Sequence, residues 1–357
     1  MNQNRLRMPG NDTDFAVNRQ EHFGKRPLSD GRLEDWLKNF SRLLFSYLQT
    51  FCIVRLVFHC PTAHFLSHEV LMSQISPFAI VHPEVTLGQH VEIGPYSIIE
   101  SGVTLGNHCK VASHVIIKSG VTIGENNQFG EGSVIGGSPQ HVSAPPPFGQ
   151  VRIGDGNVFR EHTTVHCSLK ESGVTLIGNE NYVMVNAHIA HDCVVGNNNV
   201  LVNGALLGGH VVVAHRVMIG GGTAIHQHCR VGSFAMIGGQ ARVIQDIPPF
   251  MTVDGDTGKV VGLNLIGLRR GGRTSEEIKT LKSAYFTLYR SGLTWKEILQ
   301  VFQEQYSTGT ATELTQFLLT STHRGIVRER AAGRSKLRVV EVDGEESAPP
   351  TIRVNVG

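Results

Sequence analysis

An aliphatic or aromatic residue recurs at every sixth position through much of this 357-residue chain. The recurrence begins at Val81, breaks after Ile135, resumes at Ile153 and, after one missed step at residue 171, runs from Ile177 to Val243. This period fits neither the 3.6-residue turn of a helix nor the two-residue alternation of a long strand. It predicts a mainly β chain of short strands joined by tight corners, each branched side chain pointing inward. That is the pattern of a parallel β-helix of hexapeptide repeats.

Three hexads complete one triangular coil, so residues about 18 positions apart are expected to stack on one another. The repeat is interrupted by a proline-rich stretch at residues 137–152. We expect this stretch to be an excursion loop that leaves the coil, and insertions in repeat proteins tend to cluster on a binding face.

Beyond residue 250 the pattern becomes helical. Two predicted helices start at sequences typical of a capping box, Thr274–Glu277 and Thr294–Glu297, and a third starts near Thr312. The predicted organisation is an extension at 1–71, a β-helix at 72–250, a helical domain at 251–330 and a flexible tail at 331–357.

The N-terminal extension, 1–71, looks foreign to the repeat. One hypothesis is that translation starts at Met72, and the other is that the extension binds a partner or a membrane surface. Its most apolar stretch, Leu43–Phe58, contains polar residues and is shorter than the ~20 residues that a bilayer requires. We therefore expect no stable membrane insertion. A cytoplasmic location is expected separately, from the scattered cysteines described below.

Composition narrows the function classes. Forty glycines suit a fold with many tight corners, and a formal net charge of +2 argues against wholesale nucleic-acid binding. The six cysteines show no paired C-x-x-C spacing, which predicts reduced thiols and neither a disulfide framework nor a zinc knuckle. They are Cys52, Cys60, Cys109, Cys167, Cys193 and Cys229.

One stretch of the repeat carries chemistry. Asn186–Cys193 reads N-A-H-I-A-H-D-C, and a hexad repeat needs no imidazole. By the stacking rule, Gly209 should lie next to His191, and His210 next to Asp192. A histidine with a carboxylate partner is a candidate general base, and the backbone N–H of a glycine beside it could stabilise an oxyanion.

Two other interpretations of these residues stay open. They could be solvated histidines on a flat sheet, or they could bind zinc, since histidines converging at a subunit interface make a good zinc site.

The Asn186–Cys193 run, together with Gly209-His210, His226-Gln227, Asn264 and the G-L-R-R-G sequence at 267–271, resembles the UDP-N-acetylglucosamine 3-O-acyltransferase family. The resemblance covers about residues 72–328. It implies a homotrimer of left-handed β-helices with active sites between subunits. The implied reaction is transfer of a 3-hydroxyacyl chain from acyl carrier protein to UDP-N-acetylglucosamine, the first step of lipid A biosynthesis.

The resemblance also implies roles for individual residues. His191 would be the general base, Asp192 its partner and the Gly209 amide the oxyanion donor. Gly239 matches the position that sets acyl length, and a glycine there suggests a longer chain. The other implied substrate-binding residues are His188, His210, His226, Gln227, Gln140, Asn264 and Arg270. No metal or cofactor is implied beyond the acyl-phosphopantetheine of the carrier protein.

Acyl carrier protein is acidic, and the chain offers basic residues at the start of its helical domain that could form a matching patch. They are Arg269, Arg270, Arg273, Lys279, Lys282 and Arg290.

Two departures from the family put the acceptor in question. Where the family reads Q-D-L-K-Y, this chain has Gln140-His141-Val142-Ser143, and the family's H-R-G-T is here His166-Cys167-Ser168-Leu169. A 3-amino UDP-sugar, which would give an amide product, is therefore an open acceptor.

Three other classes are considered. An N-acyltransferase of the related lipid A step is disfavoured because the extension at 1–71 is too short and irregular for a uridine-binding domain. A γ-type carbonic anhydrase with zinc and a non-catalytic trimeric scaffold are the other two, and the scaffold leaves the grouped histidines unexplained.

Overall fold

A computed structural model describes residues 73–143, 146–320 and 323–331. The predictions for the extension at 1–71, including Leu43–Phe58, and for the tail beyond residue 331 fall outside these ranges. Within them, no helix is long and apolar enough to cross a membrane.

Short parallel strands form three sheets of 11, 9 and 8 strands, which are the three faces of a prism. Along the prism, each strand lies on the face next to that of the strand before it, so three consecutive strands form one coil with one strand on each face. The first face contains β1 (Gln74–Ile75), β4 (Glu92–Ile93), β7 (Lys110–Val111), β10 (Gln128–Phe129), β13 (Val158–Phe159), β16 (Tyr182–Val183), β19 (Val200–Leu201), β22 (Met218–Ile219), β25 (Met236–Ile237), β27 (Met251–Val253) and β28 (Val260–Leu263). The second contains β2 (Ile80–Val81), β5 (Ile98–Ile99), β8 (Ile116–Ile117), β11 (Val134–Gly137), β14 (Thr164–His166), β17 (His188–Ile189), β20 (Leu206–Leu207), β23 (Ala224–Ile225) and β26 (Arg242–Val243). The third contains β3 (Thr86–Leu87), β6 (Thr104–Leu105), β9 (Val121–Ile123), β12 (Gln150–Ile153), β15 (Val174–Ile177), β18 (Val194–Val195), β21 (Val212–Val213) and β24 (Arg230–Val231).

The period-six prediction is confirmed. The inward positions are buried along the prism, apart from Val81 and Leu87 near its N-terminal end, which are half-buried. The corners turn through residues with positive φ, such as Asn186, Asp192 and Asn198 at 58° to 60°. Short polar side chains tolerate this left-handed conformation better than most, because they can hydrogen-bond locally.

A ladder of buried asparagines runs along the corner between the third and first faces. Asn157 donates from its backbone and side chain to Asn127 Oδ1 at 3.0 and 2.9 Å, and Asn181 repeats both bonds on Asn157. Asn199 donates from its backbone to Asn181 Oδ1 at 3.0 Å. We call these four residues the asparagine corner, and each side-chain amide also donates to a backbone carbonyl. Every polar group of the ladder is thus satisfied inside the prism.

The chain leaves the prism through β27, which pairs parallel to β25 and antiparallel to β28. Both strands lie beyond residue 250, in the segment that the sequence predicted to be helical. The helices follow as α1 (Leu265–Arg270), α2 (Ser275–Arg290), α3 (Trp295–Gln305), a 3-10 turn (Gly309–Ala311) and α4 (Thr312–Leu319).

The two predicted capping boxes are present. Thr274 and Glu277 exchange hydrogen bonds at the start of α2, and Thr294 and Glu297 do so at the start of α3. Each box satisfies amides that a helix start leaves without partners. The short helix α1 was not predicted.

Candidate active site

The histidines of the N-A-H-I-A-H-D run lie at the corner between the second and third faces. His188 is in β17, and His191 and Asp192 form the turn into β18. The predicted stacking of successive coils is confirmed here, because His210 N–H donates to His191 O at 3.0 Å and His228 N–H donates to Gly209 O at 3.0 Å. We call His191, Asp192, Gly209 and His210 the histidine corner.

His191 and Asp192 form a hydrogen-bonded pair. His191 Nδ1 lies 2.8 Å from Asp192 Oδ2, and the His191 residue is only 8% exposed. A carboxylate accepts hydrogen bonds, so this contact favours the tautomer with the proton on Nδ1. The Nε2 atom of His191 is then free to accept a proton from a substrate.

Asp192 is held as a carboxylate. Burial raises its pKa, but hydrogen bonds from Ser168, His191 and the Leu169 amide outweigh burial and leave the pKa below its usual value. Its own N–H donates to Thr175 Oγ1 at 2.8 Å, which fixes the backbone of the turn. An ionised carboxylate at this place can stabilise the imidazolium that forms when His191 takes a proton.

Gly209 lies directly against the His191 ring. A Cβ atom at Gly209 would lie 2.6 Å from His191 Nε2, so no other residue type fits without moving the imidazole. Among the described residues the Gly209 N–H donates no hydrogen bond. At the neighbouring corner, by contrast, the Asn179 N–H is used by Asn197 Oδ1 at 2.8 Å. The histidine corner therefore offers a free amide beside a candidate base, which is the arrangement that an oxyanion requires.

His210 is half-buried, and its Nε2 lies 3.8 Å from Asp192 Oδ2. Burial lowers the pKa of His210 more than the nearby carboxylate raises it. Its ring stacks on His228 at 4.6 Å between centroids. The ligand atoms of His191, Asp192 and His210 lie within 4.8 Å of one another, close enough for one cation, but the cation would compete with the His191–Asp192 hydrogen bond.

A second pair of imidazoles lies beside this corner. His166 and His188 pack edge to face with centroids 4.8 Å apart, and His188 Nδ1 lies 2.7 Å from Thr164 Oγ1. Burial, followed by the charges of His188 and His191, lowers the pKa of His166 to about 4. Burial also lowers the pKa of His188. Both rings are therefore neutral near pH 7, and His166 Nδ1 has no hydrogen-bond partner within the described ranges.

The remaining predicted residues differ from the pair in burial. His226, Gln227, Gln140 and Arg270 are exposed. Gly239 is exposed as well.

The side chain of Asn264 is occupied by two structural hydrogen bonds. Its Oδ1 accepts from the Gly267 amide at the start of α1 and its Nδ2 donates to Phe234 O at 2.8 Å. The geometry therefore gives Asn264 the task of fixing α1 next to the prism, a task that the sequence did not suggest.

Three residues near the pair were not among the predicted site residues. His141, in the excursion loop, lies with its ring centroid 6.4 Å from that of His191. Ser168 contacts Asp192, and His166 packs on His188. The only signal for them in the sequence was that all three fall in the two stretches that depart from the family pattern.

The chain matches two family models. The model described as Udp N-acetylglucosamine O-acyltransferase, Domain 2, matches residues 246–327. The model described as bacterial transferase hexapeptide (six repeats) matches residues 84–119 and 102–137.

Relatives match over most of the chain. The acyl-(acyl-carrier-protein)–UDP-N-acetylglucosamine O-acyltransferase of Sulfurihydrogenibium sp. is 53% identical over 75% of this chain and 98% of its own length. The protein of that name from Paraburkholderia xenovorans is 43% identical over 72% of this chain and its full length.

Solved structures of similarly named proteins have the same fold. The UDP-N-acetylglucosamine acyltransferase of Francisella novicida superposes with a TM-score of 0.70 at 36% identity, covering 72% of this chain and 95% of its own. The corresponding structure from Acinetobacter baumannii gives a TM-score of 0.69 at 35% identity, covering 72% and 100%.

Proposed function

This chain belongs to the family of UDP-N-acetylglucosamine O-acyltransferases, and we propose that it transfers a 3-hydroxyacyl chain from acyl carrier protein to the 3-hydroxyl group of UDP-N-acetylglucosamine. This is the first step of lipid A biosynthesis. The observation that carries the proposal is the His191–Asp192 pair, with Gly209 packed against the imidazole on a hexapeptide β-helix.

In the proposed reaction, His191 Nε2 accepts the proton of the sugar 3-hydroxyl while the sugar oxygen attacks the thioester carbonyl carbon of the acyl-phosphopantetheine. Asp192 stabilises the imidazolium, and the Gly209 N–H donates to the oxyanion of the tetrahedral intermediate. When the intermediate collapses, the carbon–sulfur bond breaks, an ester remains on the sugar, and the imidazolium returns the proton to the departing thiolate.

Ion pairs within the chain reduce the number of basic residues that we propose for the contact with acyl carrier protein. Arg273 forms an ion pair with Glu277 at 2.9 Å and Arg290 with Glu329 at 2.6 Å, so both cations are partly neutralised. We propose Arg269, Arg270 and Lys282 as the main contribution, acting mostly on the rate and register of encounter. Phosphopantetheine on the carrier protein is the only prosthetic group in this proposal.

A homotrimer is part of the proposal. On the third face, next to the histidine corner, Leu176, Val194 and Val212 form a column of outward apolar side chains that are 43%, 38% and 38% exposed. Contiguous exposed apolar surface of this kind is typical of an interface. Light scattering of the purified protein measures the assembly, and a monomeric mass would contradict this part of the proposal. A cytoplasmic location remains a prediction.

The altered excursion loop bears on the acceptor. The ring centroid of His141 lies 6.4 Å from that of His191, so this part of the departing loop lies beside the proposed base. A 3-amino UDP-sugar is therefore tested beside UDP-N-acetylglucosamine.

The test is to incubate the full chain with each of the two acceptors and a series of 3-hydroxyacyl carrier proteins of different chain length, and to identify products by mass spectrometry. We expect an ester on UDP-N-acetylglucosamine, and a loss of about 10²–10⁴-fold in kcat for His191→Ala. His90→Ala is the control, because His90 stacks on His108 far along the chain from the site. If the amide formed much faster than the ester, the 3-amino UDP-sugar would replace UDP-N-acetylglucosamine as the proposed acceptor. If neither acceptor gave a product, acyl transfer would be contradicted.

A further inference from the structure

The Asp192 carboxylate accepts hydrogen bonds from three groups, and one of them contacts a different oxygen from the other two. The Ser168 hydroxyl donates to Asp192 Oδ1, while the Leu169 N–H at 3.1 Å and His191 Nδ1 at 2.8 Å share Oδ2. Ser168 is thus the one side chain among the described residues that holds the carboxylate oxygen pointing away from the imidazole.

The direction of the Ser168 hydroxyl hydrogen follows from its second bond. Ser168 Oγ accepts from the Lys170 N–H at 3.2 Å, so its own hydrogen is left for Asp192. The Ser168 carbonyl accepts from the Gly149 N–H at 3.0 Å, which joins this turn to the end of the excursion loop.

The space around Ser168 fits this residue closely. Ser168 is fully buried, and Gly149 and Gly173 pack against it so tightly that a Cβ atom on Gly173 would overlap its Oγ. The hydroxyl therefore has little freedom to rotate away from Asp192.

We propose that Ser168 is a positioning residue for the acyl transfer, which orients the Asp192 carboxylate and, through it, the catalytic imidazole of His191. The inference rests on the proposed function for its kinetic consequence, but not for the chain of contacts. Ser168, Asp192 and His191 then act as a linked series of three side chains, of which only His191 reaches substrate. This turn is one of the two stretches where the chain departs from the family pattern, so Ser168 is the member of the series that the pattern does not supply.

The consequence for catalysis has a definite sign. A donor on the carboxylate withdraws charge and weakens proton binding by the His191–Asp192 pair. Without Ser168 the pair should bind its proton more tightly, so the acidic limb of kcat/KM should move to higher pH. The other titratable or charged groups around the pair are His141, His166, His188, His210, Lys170, Cys167 and Cys193.

The experiment compares Ser168→Ala with Ser97→Ala. Ser97 is also a fully buried serine, which accepts from the Val115 N–H at 3.1 Å and donates to Ala112 O at 2.7 Å, but it has no ionisable partner. For Ser168→Ala we expect kcat to fall about tenfold, with little change in the KM for the sugar nucleotide and an acidic limb at higher pH. Ser97→Ala should leave all three unchanged.

A second measurement needs no catalysis. Exchange of the His191 Cε1 hydrogen for deuterium is followed across pH by mass spectrometry, with fragmentation of the peptide to separate His191 from His188. The midpoint should move to higher pH in Ser168→Ala and stay in place in Ser97→Ala.

The two measurements separate the hypotheses. An unmoved or lowered pH limb and exchange midpoint in Ser168→Ala would overturn the positioning role, even if kcat fell. A wild-type protein that makes no product while the exchange midpoint still moves would overturn the proposed function and leave the Ser168 inference standing. Gly149 and Gly173 pack closely around the Ser168 side chain, so the rescue variant is Ser168→Cys, which adds no carbon atom. Its thiol is a weaker donor than the hydroxyl, and its activity is expected to fall between those of wild type and Ser168→Ala.

Discussion

The asparagine corner and the histidine corner are built from the same backbone turn, repeated along two edges of one prism. In the asparagine corner each polar group is used by the next coil, as when Asn157 Oδ1 accepts from both the backbone and the side chain of Asn181 at 2.9 Å. In the histidine corner the Gly209 N–H lacks such a partner within the described residues. A completed ladder stabilises the fold, whereas donors and acceptors left over beside a charged pair are available to a substrate.

Stacked imidazoles alone do not mark the site. His90 and His108 stack at 4.6 Å in one part of the prism, and His210 and His228 stack at the same distance in another. Of these two stacks, the second lies beside a carboxylate, that of Asp192, which is close to His210. It also lies beside Gly209, which packs against the His191 ring. The comparison therefore supports the proposed roles of the carboxylate and the glycine as much as those of the histidines.

The largest effect on catalysis after loss of the base is expected at Gly209. In Gly209→Ala the new methyl group would displace the His191 ring from its place beside the amide, and a displacement of about 1 Å can cost about 10²-fold in rate. We expect kcat to fall by about 10²–10³-fold, measured by product formation.

Gly102→Ala is the control on the same edge of the prism. The φ of 72° at this position strains an alanine, but a Cβ there meets nothing within 4 Å. It should lose about 1 kcal/mol of stability and keep its activity. Full activity in Gly209→Ala would contradict the close packing of ring and amide.

The asparagine corner should respond in the opposite way. Asn157→Ala leaves the Asn181 N–H and the Gly178 carbonyl without their partners, so the free energy of unfolding should fall by about 2–4 kcal/mol while kcat/KM stays near wild type. Thermal unfolding and the product assay measure the two effects. Asn179→Ala, at an exposed position that accepts one backbone bond, is the control and should lose less than about 1 kcal/mol. A selective loss of activity in Asn157→Ala would remove the distinction between the corners.

Acid should weaken the pair of buried imidazoles beside the histidine corner, His166 and His188, and not the asparagine corner. The pKa of His166 is lowered to about 4 in the folded protein from 6.5, mainly by burial. The unfolded chain therefore binds this proton first, and stability falls as the pH drops from 6.5 to 4, by at most about 3 kcal/mol from this residue. In His166→Gln the fall in unfolding temperature across this range should be smaller, whereas Asn157→Ala should keep the wild-type slope. Equal slopes for His166→Gln and wild type would contradict the buried neutral ring.

The smallest effect is expected at the excursion loop. His141 is exposed, and its Nδ1 accepts from the Ser143 N–H at 3.2 Å, so it can contact an acceptor without supporting the fold. We expect His141→Ala to raise the KM for the sugar nucleotide a few-fold with kcat nearly unchanged, measured by initial rates over a range of sugar nucleotide concentrations. A large loss of kcat would mean that His141 takes part in the chemistry beside His191.

Much of the fold could be predicted from the sequence because a hexapeptide coil contacts only its neighbours. The inward residues, the stacking of Gly209 on His191 and both capping boxes follow from short spacings, and all are confirmed. Strands β27 and β28 beyond residue 250 could not be predicted in this way, because the antiparallel pairing departs from the repeat.

The part of the site that was missed lies where the coil length changes. Thr164 pairs with His188 and Gln128 pairs with Val158, and both coils are longer than three hexads. A stacking rule based on a constant coil length therefore cannot place the inserted residues. Both longer coils expand at the corner between the second and third faces. That is how Ser168 and His141 come to lie beside Asp192 and His191.

The sequence by itself determined the coil, its corners and the pair of residues that can exchange a proton, since these depend on local spacing in a repeat. Only the tertiary structure decided which groups are left free and which are already bonded. It assigned Asn264 to α1, oriented the Ser168 hydroxyl toward Asp192 and left the Gly209 amide open among the described residues. The physical reason is that hydrogen-bond satisfaction depends on residues brought together from separate coils and loops, which a one-dimensional period does not encode.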